Sequence, residues 1–479
     1  MLRLGLPIVA SMAALIGLGV TDTIMAGLAS TEDLAALAIG SNIFFIAVMT
    51  CIGMQSVVAP RVAWHLGAGH KKRLSHELWQ CMWVGLGIGS VLAILLFLSI
   101  SFLPLLGLEA GVQKTAERYL FIVTFTLPMV GVNLALRNAL DGLELPHFNM
   151  IINLSIFLLN VVLDYLFVFG KFGMPMLGAI GCGIATCVVT VLQTIATLLL
   201  FRFSKRLQVF RLWQSVVKPD LRLIKRLLWL GFPAAGAITL EESFFASTTI
   251  LVAPLGSIQL AAHQMVLTIA LIALIFPIAM GQAGAIVIGR SLGEGRPKLA
   301  RQQAHALLLT LLVMMCICGV GLLFARTSLV TFFSKDEAVL VLGATLLLIV
   351  SLQLVVDGLQ LGANVALKGY QDTLVPAMLQ IFCYWLVGFP LAWSLTRTEW
   401  FGPPMGVKGV WYALIFGLSL SAIALVFRLM VVSGQFASGH RVLPEQSDAQ
   451  TTSAPGSARL DDTGLTRECG REDNRKSGS

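Results

Sequence analysis

Twelve long apolar runs constrain this sequence more than any other feature. They lie at roughly 4–28, 36–60, 79–104, 116–139, 148–169, 178–201, 227–253, 259–287, 303–325, 338–366, 374–396 and 407–432. Each holds about 20 or more residues, enough at 1.5 Å per residue to cross a hydrocarbon core of about 30 Å. Lipid offers the backbone no hydrogen-bond partners, so each run must satisfy its own amides and carbonyls as a helix. The chain is therefore expected to be an all-α polytopic membrane protein. Its composition agrees: 57% of the 479 residues are hydrophobic and only 12% are charged, which excludes a soluble domain or a disordered chain. Pro7, Pro128, Pro233 and Pro277 fall inside runs, where neighbouring helices can re-satisfy the freed backbone groups.

The formal net charge is +8, but the basic residues sit in short loops rather than on one face. No nucleic-acid partner is expected, only membrane lipid around the bundle. Loops after even-numbered runs hold most of the Lys and Arg: Arg61, Lys71, Lys72 and Arg73, the cluster from Arg202 to Arg226, then Arg290, Arg296, Lys298 and Arg301. By the positive-inside rule these loops face the cytoplasm, and with twelve spans so do both termini. The location expected is a cytoplasmic membrane, crossed many times by the chain. Ala26-Gly27-Leu28-Ala29-Ser30 imitates a signal-peptidase site, but the run before it is too long and carries Asp22. From Gly434 to Ser479 the sequence turns polar and reads as a disordered cytoplasmic tail. Seven cysteines lie in or beside apolar runs and read as small buried hydrophobes. No Cys/His spacing suggests zinc.

The two halves repeat. Leu4-Gly5-Leu6-Pro7 returns as Leu230-Gly231-Phe232-Pro233, Leu34-Ala35-Ala36 as Leu260-Ala261-Ala262, and Leu66-Gly67-Ala68-Gly69 as Leu292-Gly293-Glu294-Gly295, each 226 positions on. Phe172-Gly173, Pro175 and Gly178 match Phe401-Gly402, Pro404 and Gly406 at 228 or 229 positions on. Four matches in register imply a duplicated six-helix unit. Six crossings return the chain to its starting side, so both units insert the same way up, around an axis along the membrane normal. The division expected is an N-lobe at 1–201, a basic linker at 202–226, a C-lobe at 227–433 and the tail. A cleft between such repeats is where transporters place substrate.

Four acids lie deep in these runs: Asp22, Asp164, Glu241 and Asp357. Each costs roughly 2.5–3.5 kcal/mol at a helix centre on insertion scales. Asn160 is one turn before Asp164, on the same face, so Asn160, Asp164 and Asp22 can meet inside the first unit. Glu241 and Asp357 lie at similar depths and can share a level in the second. Glu242 points about 100° away from Glu241, and Asp141, near a helix end, reads as solvated or capping. Arg137 and Lys368 also fall near helix ends, so no deep Lys or Arg neutralises the acids. Acids so placed must bind a proton or coordinate a hard cation through oxygen. Both chemistries suit an ion-coupled transporter, and a negative cleft favours cationic amphiphiles.

Other features weigh less. His263 reads as a hydrogen-bonded packing residue. Gly85, Gly87 and Gly89 suit close helix packing rather than a nucleotide loop. Phe244, Phe276, Gln264 and Tyr384 are candidates to line a substrate cleft, although lipid-facing positions serve the aromatics equally. No GxxxxGK[ST], GxSxG or HExxH occurs, so nothing points to ATP use or to an enzyme, and no cofactor is expected beyond the coupling ion.

Thr21-Asp-Thr-Ile-Met-Ala-Gly27 resembles the first helix of the multidrug and toxic compound extrusion (MATE) family, NorM-type branch. Gly231-Phe-Pro233, Val252-Ala-Pro-Leu-Gly256 with Ala261-Ala-His-Gln264, and Leu367-Lys-Gly-Tyr-Gln-Asp372 are similar to that family too, as are 165–173 and 178–185. The resemblance spans residues 4–432. It implies a V-shaped pair of six-helix lobes and multidrug efflux of cationic lipophilic compounds by antiport against Na⁺ or H⁺, a basis for antibiotic resistance. It carries a C-lobe cation site, open to Na⁺, onto Glu241 and Asp357, and an N-lobe acidic site onto Asp22, Asn160 and Asp164. Asp at 164 departs from NorM-type members with Asn there, which leaves the coupling ion open. The alternatives are a lipid-linked oligosaccharide flippase of the same superfamily, which would need basic residues in the cleft, and an ion channel.

Overall fold

A computed structural model describes residues 2–208, 217–333, 336–400 and 403–441. Twelve membrane-length segments follow one another: α1 (Leu2–Ala29), α2 (Thr31–Gly67, interrupted at residues 56 and 57), α3 (Lys71–Ile100), α4 (Ala110–Thr124 and Leu127–Gly142), α5 (Pro146–Phe169), α6 (Ala179–Phe203), α7 (Leu221–Val252), α8 (Ser257–Gly293), α9 (Pro297–Phe333), α10 (Glu337–Gly369), α11 (Leu374–Arg397) and α12 (Val407–Ala437). The twelve include α4, whose two pieces bend by 48° where Pro128 enters the first turn of the second piece. Short polar residues start several helices by capping free amides. Ser30 accepts from the Asp33 amide at 2.9 Å, and Asp220 from the Arg222 amide at 2.9 Å.

Most helices overrun their apolar runs. Hydropathy marks only the part that meets lipid, whereas helical hydrogen bonding continues until a turn stops it. Thus α8 extends to Gly293 and α9 starts at Pro297. The expected tail boundary at Gly434 is corrected likewise: α12 continues to Ala437, because Phe436 is buried with its ring 5.3 Å from that of Tyr370. Residues 442–479 of the tail and 209–216 of the linker lie outside the described residues.

The duplication is visible atom by atom. Gly178 and Gly406 precede α6 and α12 with nearly identical backbone angles, φ 56°, ψ −135° and φ 57°, ψ −140°. The positive φ favours glycine. Beside the first, the Asp33 carboxylate accepts from the Ala179 amide at 2.8 Å. Beside the second, the Gln259 side chain, 226 positions after Asp33, accepts from the Val407 amide at 2.9 Å. Glu144 and Gln371 are likewise paired, both with left-handed backbone at φ 61° and 57°.

Each half builds its own core. One cluster joins Ala26, Leu37, Tyr119 and Cys182 from the first half; another joins Phe244, Leu346, Tyr384 and Trp411 from the second. These are the two six-helix lobes. A smaller cluster of Ile8, Ala59, Ala63, Ala279, Ala283 and Ile286 bridges them. Gly289 packs against Pro60, Gly293 against Trp64 and Gly53 against Ala235. The Gly289–Pro60 and Gly293–Trp64 contacts fall in the last turns of α8 and α2, the ends that carry basic loops, whereas Gly53–Ala235 lies deeper along α2 and α7. Small residues there let backbones approach closely.

Candidate acid sites and their surroundings

In the first half, α1 packs along α5, and α6 lies beside both. That arrangement brings Asp22 to Asp164 and Asn160. Asp164 and Asn160 are buried and Asp22 is half-buried. Carboxylate oxygens of Asp22 and Asp164 and the Cys182 sulfur all lie within 4.8 Å of one another. The Thr186 hydroxyl donates to Asp22 Oδ2 at 3.3 Å, and the Cys182 thiol to the Asp22 main-chain oxygen at 3.7 Å. The Asn160 side chain also adjoins Asp22. Among the described residues, Asp22 Oδ1, both Asp164 oxygens and Asn160 Oδ1 have no hydrogen-bond partner. Two carboxylates this close repel each other in a medium of low dielectric, and a cation between them removes the repulsion.

In the second half the acids are linked less directly. The Tyr384 hydroxyl donates to Glu241 Oε1 at 3.5 Å and accepts from the Gln360 amide at 2.8 Å. Asp357 lies one turn before Gln360, bonded to Gln353 and near enough to Glu241 for their charges to interact. Tyr384 sits on a π-helical stretch, Phe382–Gly388, just before Pro390. Such wide turns recur at functional sites. Lys368 corrects one expectation. Although close to the end of α10, it is near enough to Glu241 for their charges to interact.

Further expectations meet their places. Glu242 is exposed where Glu241 is half-buried, as helical spacing requires. Asp141 is not solvated: it is buried and accepts from the Asn149 amide at 2.8 Å, tying α4 to α5. His263 is buried against Thr248, Thr249 and Trp411. Phe244 and Tyr384 do not offer a cleft surface. Both are fully buried and stack at 5.3 Å, because the Tyr384 hydroxyl must reach polar partners inside the lobe. Gln264 and Phe276 are exposed on α8. Cys182, Thr186, Gln353 and Gln360 are site neighbours that the sequence alone does not single out. Their signal was polar or small residues at helical spacing (182 with 186; 353, 357 and 360), which only the packing of other helices made meaningful.

A second polar group ties the lobes together at their basic ends. Arg61 and His65 of α2 both engage the buried Glu77 of α3, and Arg61 reaches across the lobes to Gln371 at 3.1 Å. In mirror fashion, Arg290 of α8 crosses to Glu144 and also holds Glu294 at 2.9 Å. Glu144 and Gln371 are the paired left-handed loop residues of the repeat. His70, between α2 and α3, has its pKa lowered, first by burial and then by the nearby positive charge of Arg73.

Residues 7–166 and 233–394 match the MatE family. A probable multidrug resistance protein NorM of Pasteurella multocida is 31% identical over 91% of this chain and 94% of its own. The multidrug resistance protein NorM of Vibrio cholerae is 33% identical over 90% and 94%. Among solved structures, a MATE transporter in a bent conformation superposes with a TM-score of 0.82 at 17% identity, over 91% of this chain and 96% of that one. A eukaryotic MATE transporter gives 0.79 at 20% identity, over 91% and 97%.

Proposed function

Because this chain belongs to the MatE family, as a NorM-type multidrug efflux transporter of many membrane spans, we propose that its export step is antiport against an inward Na⁺ or H⁺ received by the two acid sites. The observation that carries the reading is the meeting of Asp22 and Asp164, with three of their four oxygens unpartnered among the described residues. Glu241 and Asp357 form the second site, open to Na⁺, with Asn160 a further oxygen donor at the first. The lobes, 1–201 and 227–433, move as units about the linker 202–226. Both termini and the basic loops face the cytoplasm of a bacterial inner membrane, following the charge bias of the loops. The cargo is a cationic amphiphile attracted by the same acids, and the chain acts as a monomer with no cofactor besides the coupling ion.

Physical logic connects the sites to transport. The Thr50 and Thr239 hydroxyls approach to 3.5 Å across the lobes, and Glu241 follows two residues after Thr239. Two residues are about 200° of helix turn, so Glu241 faces Tyr384 inside its own lobe while its helix, α7, also carries this contact between the lobes. A ligand shifts such an equilibrium only by its differential affinity for the two arrangements. Cation and drug exchange when each favours the opposite one.

Purified protein in liposomes loaded with ethidium tests the reading. An imposed Na⁺ gradient or pH gradient should drive dye movement, and the effective gradient names the ion. Dye flux indifferent to both gradients, or ion current without drug, would overturn it.

A further inference from the structure

We propose that the first-half acid pocket is also a binding site for a thiophilic divalent cation, of the Zn²⁺ or Cd²⁺ class, with Cys182 as the selective ligand. Three ligating atoms, one each from Asp22, Asp164 and Cys182, stand within 4.8 Å of one another. A tetrahedral zinc shell, with bonds of about 2.0–2.3 Å, sets its ligands roughly 3.5 Å apart. A contraction of at most about 1.3 Å therefore closes the three onto zinc, and less onto the larger cadmium ion. Asn160 Oδ1, buried beside Asp22 and without a partner among the described residues, supplies a fourth donor. The two Asp164 oxygens are fully buried and, apart from the facing Asp22 carboxylate, without a partner among the described residues, which points to a missing positive ligand. Unsatisfied buried oxygens are costly to keep.

The donor set decides the class of ion. Na⁺ and Mg²⁺ prefer oxygen alone and gain little from a thiol. Zinc and cadmium take thiolate with carboxylate and amide oxygen. On binding, the Cys182 thiol gives its proton to solvent and the sulfur forms the metal bond. Two carboxylates and one thiolate then face two positive charges, leaving one net negative charge in the pocket. Cys187, five residues on, instead donates to the Ile122 main-chain oxygen at 3.3 Å, so it is the natural control.

The assignment is separate from the antiport reading, because metal binding alone is measured without drug or gradient. Full-length protein in lipid nanodiscs is titrated with Cd²⁺ by calorimetry and by the ultraviolet thiolate-to-cadmium charge-transfer band. One ion per chain and a band are expected. Cys182→Ala should remove the band and weaken binding beyond the roughly 10–100-fold that outer-shell changes cost. Cys182→Ser, close in volume, should do the same should the alanine variant fail to fold. Asp164→Asn should weaken binding while the band persists at saturating Cd²⁺. Cys187→Ala should bind as the parent does. Absence of Cd²⁺ binding by the parent protein, parent-like binding by the folded Cys182 variants, or loss of the band in Cys187→Ala overturns the assignment.

Discussion

Single side chains set the chemistry, and the two lobes use them differently. In the first, carboxylates face each other directly; in the second, Glu241 is bonded to Tyr384, and Asp357, bonded to Gln353, meets it only through the field of its charge. Glu241→Gln or Asp357→Asn should abolish ethidium efflux while the protein still reaches the membrane. Full efflux by both variants, with normal expression on immunoblots, would contradict the coupling role. Lys368→Gln removes a fixed positive charge that competes with the arriving cation at Glu241. By Coulomb's law the cation then binds more tightly, so half-maximal efflux should need a several-fold lower Na⁺ or H⁺ concentration. Tyr384→Phe strands the buried Gln360 amide, which costs about 1–3 kcal/mol. Thermal unfolding in detergent should register that loss, and efflux should fall without vanishing.

Helices in this chain pack by subtraction of side chains. At the α3–α4 crossing, a Cβ on Gly85 would strike the Gly131 carbonyl, and one on Gly131 would strike that of Gly85. Gly89 opposes Leu127 and Pro128 in the same seam, whereas Gly87 faces open space. Reading all three glycines as packing residues was therefore right for two. Gly131→Val should destabilise the protein by about 1–3 kcal/mol through overpacking, and Gly87→Ala should be tolerated. Comparing their detergent melting curves separates the cases; equal losses would show that the seam is not what holds α3 to α4. The 3.6-residue repeat reveals which residues share a face, but not which of several glycines meets another backbone.

Across the whole molecule, two polar contacts of related design cross between the lobes beside their apolar seam. Glu144 meets Arg290 and Gln371 meets Arg61, each a left-handed loop residue caught by an arginine of the other lobe. The first pair is partly exposed, with Arg290 at 41% and Glu144 at 27%, so it contributes at most about 1 kcal/mol. Glu144→Gln should thus shift the balance between lobe arrangements by no more than about fivefold. Spin labels placed across the α2–α8 contact would read that shift as a change in the populations of short and long distances. Removing Arg61 differs, because it leaves the buried Glu77 short of its main counter-charge. Losses of about 3–5 kcal/mol follow from breaking such a buried pair, visible as poor folding rather than altered gating.

Local physics was enough for the twelve spans, the duplication, the loop charge bias and the four acids. Each rests on lipid, which forces helices and penalises charge residue by residue, so the signal survives without knowledge of neighbours. Folding decided what depends on approach between distant segments. It brought Cys182 and Thr186 to Asp22, closed Phe244 and Tyr384 into a core, set Lys368 within electrostatic reach of Glu241 and buried Asp141 against Asn149. Such juxtapositions arise from how helices far apart in sequence cross and tilt, and no run of residues encodes a crossing on its own.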